Sequence, residues 1–124
     1  MRKSATVYIT NRSPTHDYAA AARFGAIRFV TTGNLAVFKT SRLQQEIIEA
    51  LAYSMPSDYL LFSGSSAIAA LAFSVWMEMH GRANILLWDR QADQYVERTI
   101  NRSELRVEIE QTRDKLQIEK EETA

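Results

Sequence analysis

The stretch Asp58-Tyr-Leu-Leu-Phe62, Ser63-Gly-Ser-Ser66, the apolar run Ala67–His80, Gly81-Arg82 and then Ala83-Asn-Ile-Leu-Leu-Trp-Asp89 decides the fold. It reads as strand, tight polar loop, buried helix and strand, which is one βαβ unit. Its two strands are apolar without alternation, as expected of parallel strands covered on both faces. Leu61, Leu71 and Leu87 are therefore expected in the core.

Working outward, Ala5–Thr10 is rich in β-branched and aromatic residues and predicts a first strand. Asn11-Arg12-Ser13-Pro14 stops it. Ser13 with Pro14 behind it, or equally Thr15, can cap a helix running to Phe24, with Gly25 as its stop. Ala26–Thr31 is a second strand, placed at a sheet edge by Arg28, and Thr32-Gly33-Asn34 is a turn. Leu35–Thr40 is an irregular approach to the next helix. Ser41 with Gln44 matches a capping box. Leu43, Ile47, Ala50, Leu51 and Met55 then share one face of an amphipathic helix that Pro56 ends.

Beyond Asp89, Tyr95–Ile100 alternates as a half-exposed edge strand should, and its short link makes it antiparallel to the strand before it. Ser103-Glu104 can start a final helix in which Leu105, Ile109, Thr112 and Leu116 follow the spacing of a coiled-coil seam. The alternation in Leu105–Ile109 leaves a sixth strand as the competing reading. Right-handed crossovers then give a small three-layer, Rossmann-like α/β sheet of order 2-1-3-4-5, strand 5 antiparallel, with a C-terminal helix. Residues 1–102 form one domain and 103–124 a helix or acidic tail.

Composition narrows the function. Fifteen basic residues balance 15 acidic ones, so strong nucleic-acid binding is not expected. Residues 1–102 carry 11 basic and 8 acidic side chains, and residues 103–124 carry 4 and 7. The chain has no cysteine and 2 histidines, which argues against a disulfide framework or a metal site, and no cofactor is implied. No run reaches the ~20 apolar residues of a membrane span, and no signal peptide is expected. His80 beside Gly81 is expected to cap the last carbonyls of its helix.

The helix at 66–80 is apolar nearly all round, with only Ser74 and Glu78 as a polar stripe. Such a helix is covered on more than one side. Either the tail folds over it, or a second subunit does, giving a homo-oligomer through helix 66–80, the tail or both.

In this strand order the winding reverses between strands 1 and 3, which is where a ligand binds in open α/β sheets. The loops there supply Asn11, Arg12, Ser13, Gly64, Ser65 and Ser66, with His16, Asp17, Thr32 and Asn34 as secondary candidates. A glycine before a helix N-terminus, with hydroxyls beside it, suits a phosphate, and Arg12 adds a forked charge. The plain alternative is that the serines cap helices and Gly64 makes a turn. A lysine is missing for a Walker loop, and a single glycine is not a dinucleotide fingerprint. His16 and Asp17 are adjacent on a helix and do not face each other, so catalysis through them is the most distant reading.

Val7–Arg12, His16-Asp17-Tyr18, Arg23-Phe24-Gly25, Ser57-Asp58-Tyr59, His80-Gly81-Arg82, Asn84-Ile-Leu-Leu87 and Tyr95-Val-Glu-Arg98 together resemble small uncharacterised α/β proteins encoded by tailed phages, over roughly residues 7–100. The resemblance implies a host-cytoplasmic protein and brings no activity or site residue. The expectation is a non-enzymatic, oligomeric protein that holds a phosphorylated or nucleotide-like ligand, for instance a phage protein that sequesters a nucleotide signal. The alternatives are a protein–protein interaction module without a small ligand and, more distantly, a small hydrolase or transferase.

Overall fold

A computed structural model describes residues 4–33 and 40–123. Five strands form one sheet: β1 (Thr6–Arg12), β2 (Ala26–Thr32), β3 (Tyr59–Leu61), β4 (Arg82–Asp89) and β5 (Gln94–Asn101). Their order is β2-β1-β3-β4-β5. The first four are mutually parallel and β5 runs antiparallel to β4. The expected α/β topology is thus the one observed.

Successive strand residues point to opposite faces, so β1 feeds two cores. Tyr8 joins Leu60, Ala83 and Ile85 beneath α1 (Thr40–Leu51) and α2 (Ser66–His80). Leu43, Ile47 and Leu51 of α1 and Ile68, Ala72 and Trp76 of α2 are the buried helix residues of this layer, each set spaced four apart. Trp76 is fully buried, meets Tyr8 edge-on and donates its indole N–H to the Arg82 carbonyl. Val7, Ile9, Leu61 and Leu86 face the other way, against Tyr18, Ala21 and Tyr95. A 3-10 helix, Ala19–Phe24, and the loop before it cover this face. Arg23 latches them to β5 by donating to the Tyr95 carbonyl at 2.6 Å.

The regular helix expected from Ser13 or Thr15 to Phe24 is replaced by this 3-10 helix. Ser13 does not cap it. His16 N–H closes a turn on the Ser13 carbonyl, and Asp17 Oδ1 accepts from Ala19 N–H. Burial of Tyr18 pins the chain between those two turns. Helix α1 stops at Leu51, before Pro56, because Ser54 returns both its N–H and its hydroxyl to the Leu51 carbonyl. Met55 therefore lies outside the helix and is exposed. The approach at 35–39 and Asn34 lie outside the described residues.

Helix α2 has the expected bounds. Ser65 Oγ accepts from Ala67 N–H at its start, and Gly81 closes its end in a left-handed conformation (φ 71°) that glycine adopts without strain. His80 does not cap carbonyls. It bonds Ser54 Oγ at 2.8 Å and stacks edge-on against Trp76.

Leu71 is half-buried, and Leu87, expected in the core, is 45% exposed. β3 pairs with β4 only at Asn84 and Ile85, whereas the β4–β5 ladder runs from Arg82 to Asp89. The far end of β4 therefore leaves the sheet as a two-stranded hairpin, taking Leu87 and Trp88 with it.

The C-terminal segment is helix α3 (Arg102–Thr123), not a sixth strand. Asn101 Oδ1 accepts from the N–H groups of Ser103 and Glu104 and so caps it. None of its residues is buried, so it does not fold back over α2.

Leu60 is fully buried and Leu87 is not, so Leu60→Ala is expected to cost about 2–5 kcal/mol in urea unfolding. Leu87→Ala is expected to stay within about 1 kcal/mol. Equal losses would contradict the split of β4 into core and hairpin.

Candidate functional site

At the carboxyl ends of β2, β1 and β3 a set of polar side chains binds the three loops together. Thr10 is fully buried, and its Oγ1 both donates to the Ser63 carbonyl and accepts from Ser63 N–H, each at 2.8 Å. Thr31 Oγ1 donates to the Thr10 carbonyl at 2.7 Å and to Asn11 Oδ1 at 3.0 Å. Asn11 Nδ2 donates to the Gly33 carbonyl at 3.2 Å. The Tyr18 hydroxyl accepts from Ser13 N–H at 2.8 Å and lies 2.6 Å from Ser63 Oγ.

The structure brings Asn11 and Gly64 into contact, as their place at the switch point requires. The contact is with each other. A Cβ on Gly64 would stand 2.8 Å from Asn11 Nδ2 and 2.9 Å from Asn11 Cβ. With φ at +77° as well, this position needs glycine twice over. Arg12 is exposed, with its guanidinium 5.4 Å from the centroid of the Phe29 ring. Ser13 Oγ meets Thr15 Oγ1 at 3.3 Å. Ser65 caps α2, and Ser66 is exposed in its first turn. Thr32 is exposed at the end of β2, and Asn34 lies outside the described residues.

His16 and Asp17 have different partners. His16 Nε2 bonds the Tyr95 hydroxyl at 3.2 Å and its ring packs on Tyr18, whereas Asp17 holds Ala19 N–H. Burial, and then the neighbouring Tyr18 and Asp17, push the Tyr95 hydroxyl above its ordinary pKa, so it acts here as a neutral hydrogen-bonding group. Sequence reading missed Thr10, Thr31, Tyr18 and Tyr95. Each sits in a stretch of β-branched and aromatic residues where hydroxyls that bond loops look the same as strand formers. Among the described residues no group of three His, Asp or Glu side chains is arranged to hold a metal ion.

Two other surfaces stand out. A groove of about 450 Å³ between α1 and α2 is lined by Ile48, Leu71, Val75 and Met79, with Gln44, Ser74 and Glu78 at its rim. The seam of α3 exposes Leu105, Ile109 and Leu116 by 43, 45 and 57%.

A parallel sheet with one antiparallel edge, covered on both faces and tied at its carboxyl ends, defines a small Rossmann-like α/β domain. The chain belongs to the Phage Pam3 gp32-like protein family, whose model matches residues 5–102. No curated protein and no solved structure matches it. The match ends at the residue where α3 begins. Among the described residues no helix is long and apolar enough to cross a membrane.

Gly64→Ala is expected to cost about 2 kcal/mol, from the left-handed backbone and the collision with Asn11. In the Asn11→Ala/Gly64→Ala double variant the loss is expected to be smaller than the sum of the singles, as measured by denaturant unfolding. Additive losses would show that the two side chains do not share the space.

A second expectation concerns pH. Burial lowers the His80 pKa, and the Asp58 carboxylate opposes that only in part. The imidazole is thus harder to protonate in the fold than in the unfolded chain. Its contribution is complete above the unfolded value of about 6.5 and is lost as pH falls through the lower folded value. The melting temperature is expected to fall with pH below about 6.5, and His80→Gln should flatten that part of the profile. An unchanged profile in the variant would assign the acid sensitivity to other groups.

Proposed function

We propose that this phage protein is a non-enzymatic protein-interaction module, an α/β body in the host cytoplasm that presents α3 as its docking arm. The observation that carries the reading is α3 itself. It is 22 residues long, has no buried residue and displays an apolar seam to solvent. Most helices in proteins gain their stability by packing an amphipathic face, and α3 packs none of its residues into the body. The polar groups at the switch point support the reading from the other side, because Thr10, Asn11, Thr31 and Ser63 already bond one another. Homo-oligomer formation through α2, α3 or both belongs to the same proposal.

A second reading keeps the switch point as a site for a phosphorylated or nucleotide-like ligand, in a signal-sequestering role. It is supported by the meeting of the 11–17 and 63–66 loops beside the start of α2, with Arg12 exposed at the rim.

A photo-crosslinking residue at Thr112 in the full chain, expressed during infection, separates the two. Light-dependent protein adducts are expected, and Leu105→Glu/Leu116→Glu should abolish them while the body stays folded. The interaction reading fails if no adduct forms and a phosphorylated compound raises the melting temperature of the parent chain but not of Arg12→Ala.

A further inference from the structure

The last turn of α2 is joined to the chain beyond α1 through one hydroxyl. Ser54 Oγ lies 2.7 Å from the Leu51 carbonyl oxygen and 2.8 Å from His80 Nε2. A serine hydroxyl has a single proton to give and lone pairs to accept with, whereas a carbonyl oxygen can only accept. Two oxygens this close need that proton between them. It is therefore committed to Leu51, and Ser54 Oγ must accept from His80. The Met79 sulfur, 4.0 Å from the same hydroxyl, is a weak acceptor and too distant to compete.

We infer that His80 is an acid-responsive clasp between the ends of α1 and α2, a neutral ring that carries its proton on Nε2 and takes up a second one at Nδ1.

The two ring nitrogens then have separate roles. Nε2–H holds Ser54 in either charge state, so acid does not cut the bond between the helix ends. What acid changes is the charge on a half-buried ring set edge-on against the fully buried Trp76. Little around the ring balances that charge. Asp58, at the start of β3, is the carboxylate that acts on it, but Asp58 already accepts from the Thr6 and Met55 N–H groups. On α2 itself Glu78 pairs with Arg102, and on β4 Arg82 donates to Asn84 Oδ1. Met79, beside His80, lines the groove between α1 and α2. Protonation thus destabilises the joint that seats the two helices of that groove, while the hydrogen bond in the joint stays made.

Long-range proton–nitrogen NMR of the imidazole tests this in the full chain carrying His16→Gln, which leaves His80 as the single histidine. Well above the ordinary histidine pKa of about 6.5 the proton is expected on Nε2, and acid is expected to add the second at Nδ1. The melting temperature gives an independent readout. His80→Gln keeps an N–H for Ser54 but cannot take up a proton, so it should flatten the acid limb of the profile. Ser54→Ala should lower the melting temperature at every pH and leave the acid limb in place. An Nδ1–H tautomer above the pKa would overturn the inference, because Ser54 would then be the donor and acid would cut the bond. A Ser54→Ala profile as flat as that of His80→Gln would overturn it equally.

Discussion

The sheet depends on a buried carboxylate. Asp58 is fully buried and accepts from Thr6 N–H at 2.9 Å and Met55 N–H at 2.8 Å. Asn84 adds to the same knot by donating to the carbonyls of Pro56 and Asp58. One cluster thus ties the starts of β1, β3 and β4. A buried charge costs several kcal/mol unless its hydrogen bonds are made, so these bonds are obligatory rather than decorative. The need is greatest here because the central strand β3 has only three residues. Its own ladder is too short to fix the register of its neighbours. At the opposite end Thr10 and Ser63 hold the loop after β3 with a two-bond clamp. The shortest strand is thereby fixed at both ends by side-chain bonds.

That construction bears on function. A site for a ligand at the switch point of an α/β sheet normally keeps donors unspent for the ligand. Here the loop side chains bond one another across the sheet, and Asn11 packs against Gly64. The same glycine that suggests a cradle in the sequence serves a packing contact in the fold. The chemistry of the residues was legible, but their assignment to one another was not, because hydrogen bonds across 20 to 53 positions leave no local trace.

The topology was legible for a simple reason. Apolar runs without alternation mark central parallel strands, and a charged or alternating strand marks an edge, so Leu60, Leu61 and Ile85 separate cleanly from Arg28 and Glu97. The failures are of a different kind. Leu87 belongs by composition to the central strand but lies beyond the reach of the short β3. The chain from Ser13 to Phe24 has the caps and alanines of a helix, yet burial of Tyr18 overrode that local preference. His80 sits where a helix cap is expected, but Ser54 and Trp76 claim its ring. Length, burial and long-range partners decide each case, and none of these is a property of a sequence window.

Helix α3 completes the contrast. Elsewhere in the described chain most large apolar side chains are shared between two packed layers, with Tyr53, Met55 and the hairpin residues Leu87 and Trp88 among those left exposed. In α3 the backbone is satisfied by the helix and the Asn101 cap, while Leu105, Ile109 and Leu116 face solvent. Arg102 joins it to the body twice, by its backbone N–H to the Gly81 carbonyl at 3.0 Å and by an ion pair to Glu78 at 3.8 Å. That pair is about half exposed on the arginine and more so on the glutamate, and such pairs add little stability. The body therefore holds the arm at its first residue and buries none of it. A sequence of this charge density with no apolar spacing would be a solvated tail, whereas this one keeps an apolar residue on the same face through Leu116. Under the interaction reading the division is physical. The part that the family model matches, residues 5–102, spends its polar groups on its own closure, and α3, which begins where that match ends, carries the surface left to recognise something else.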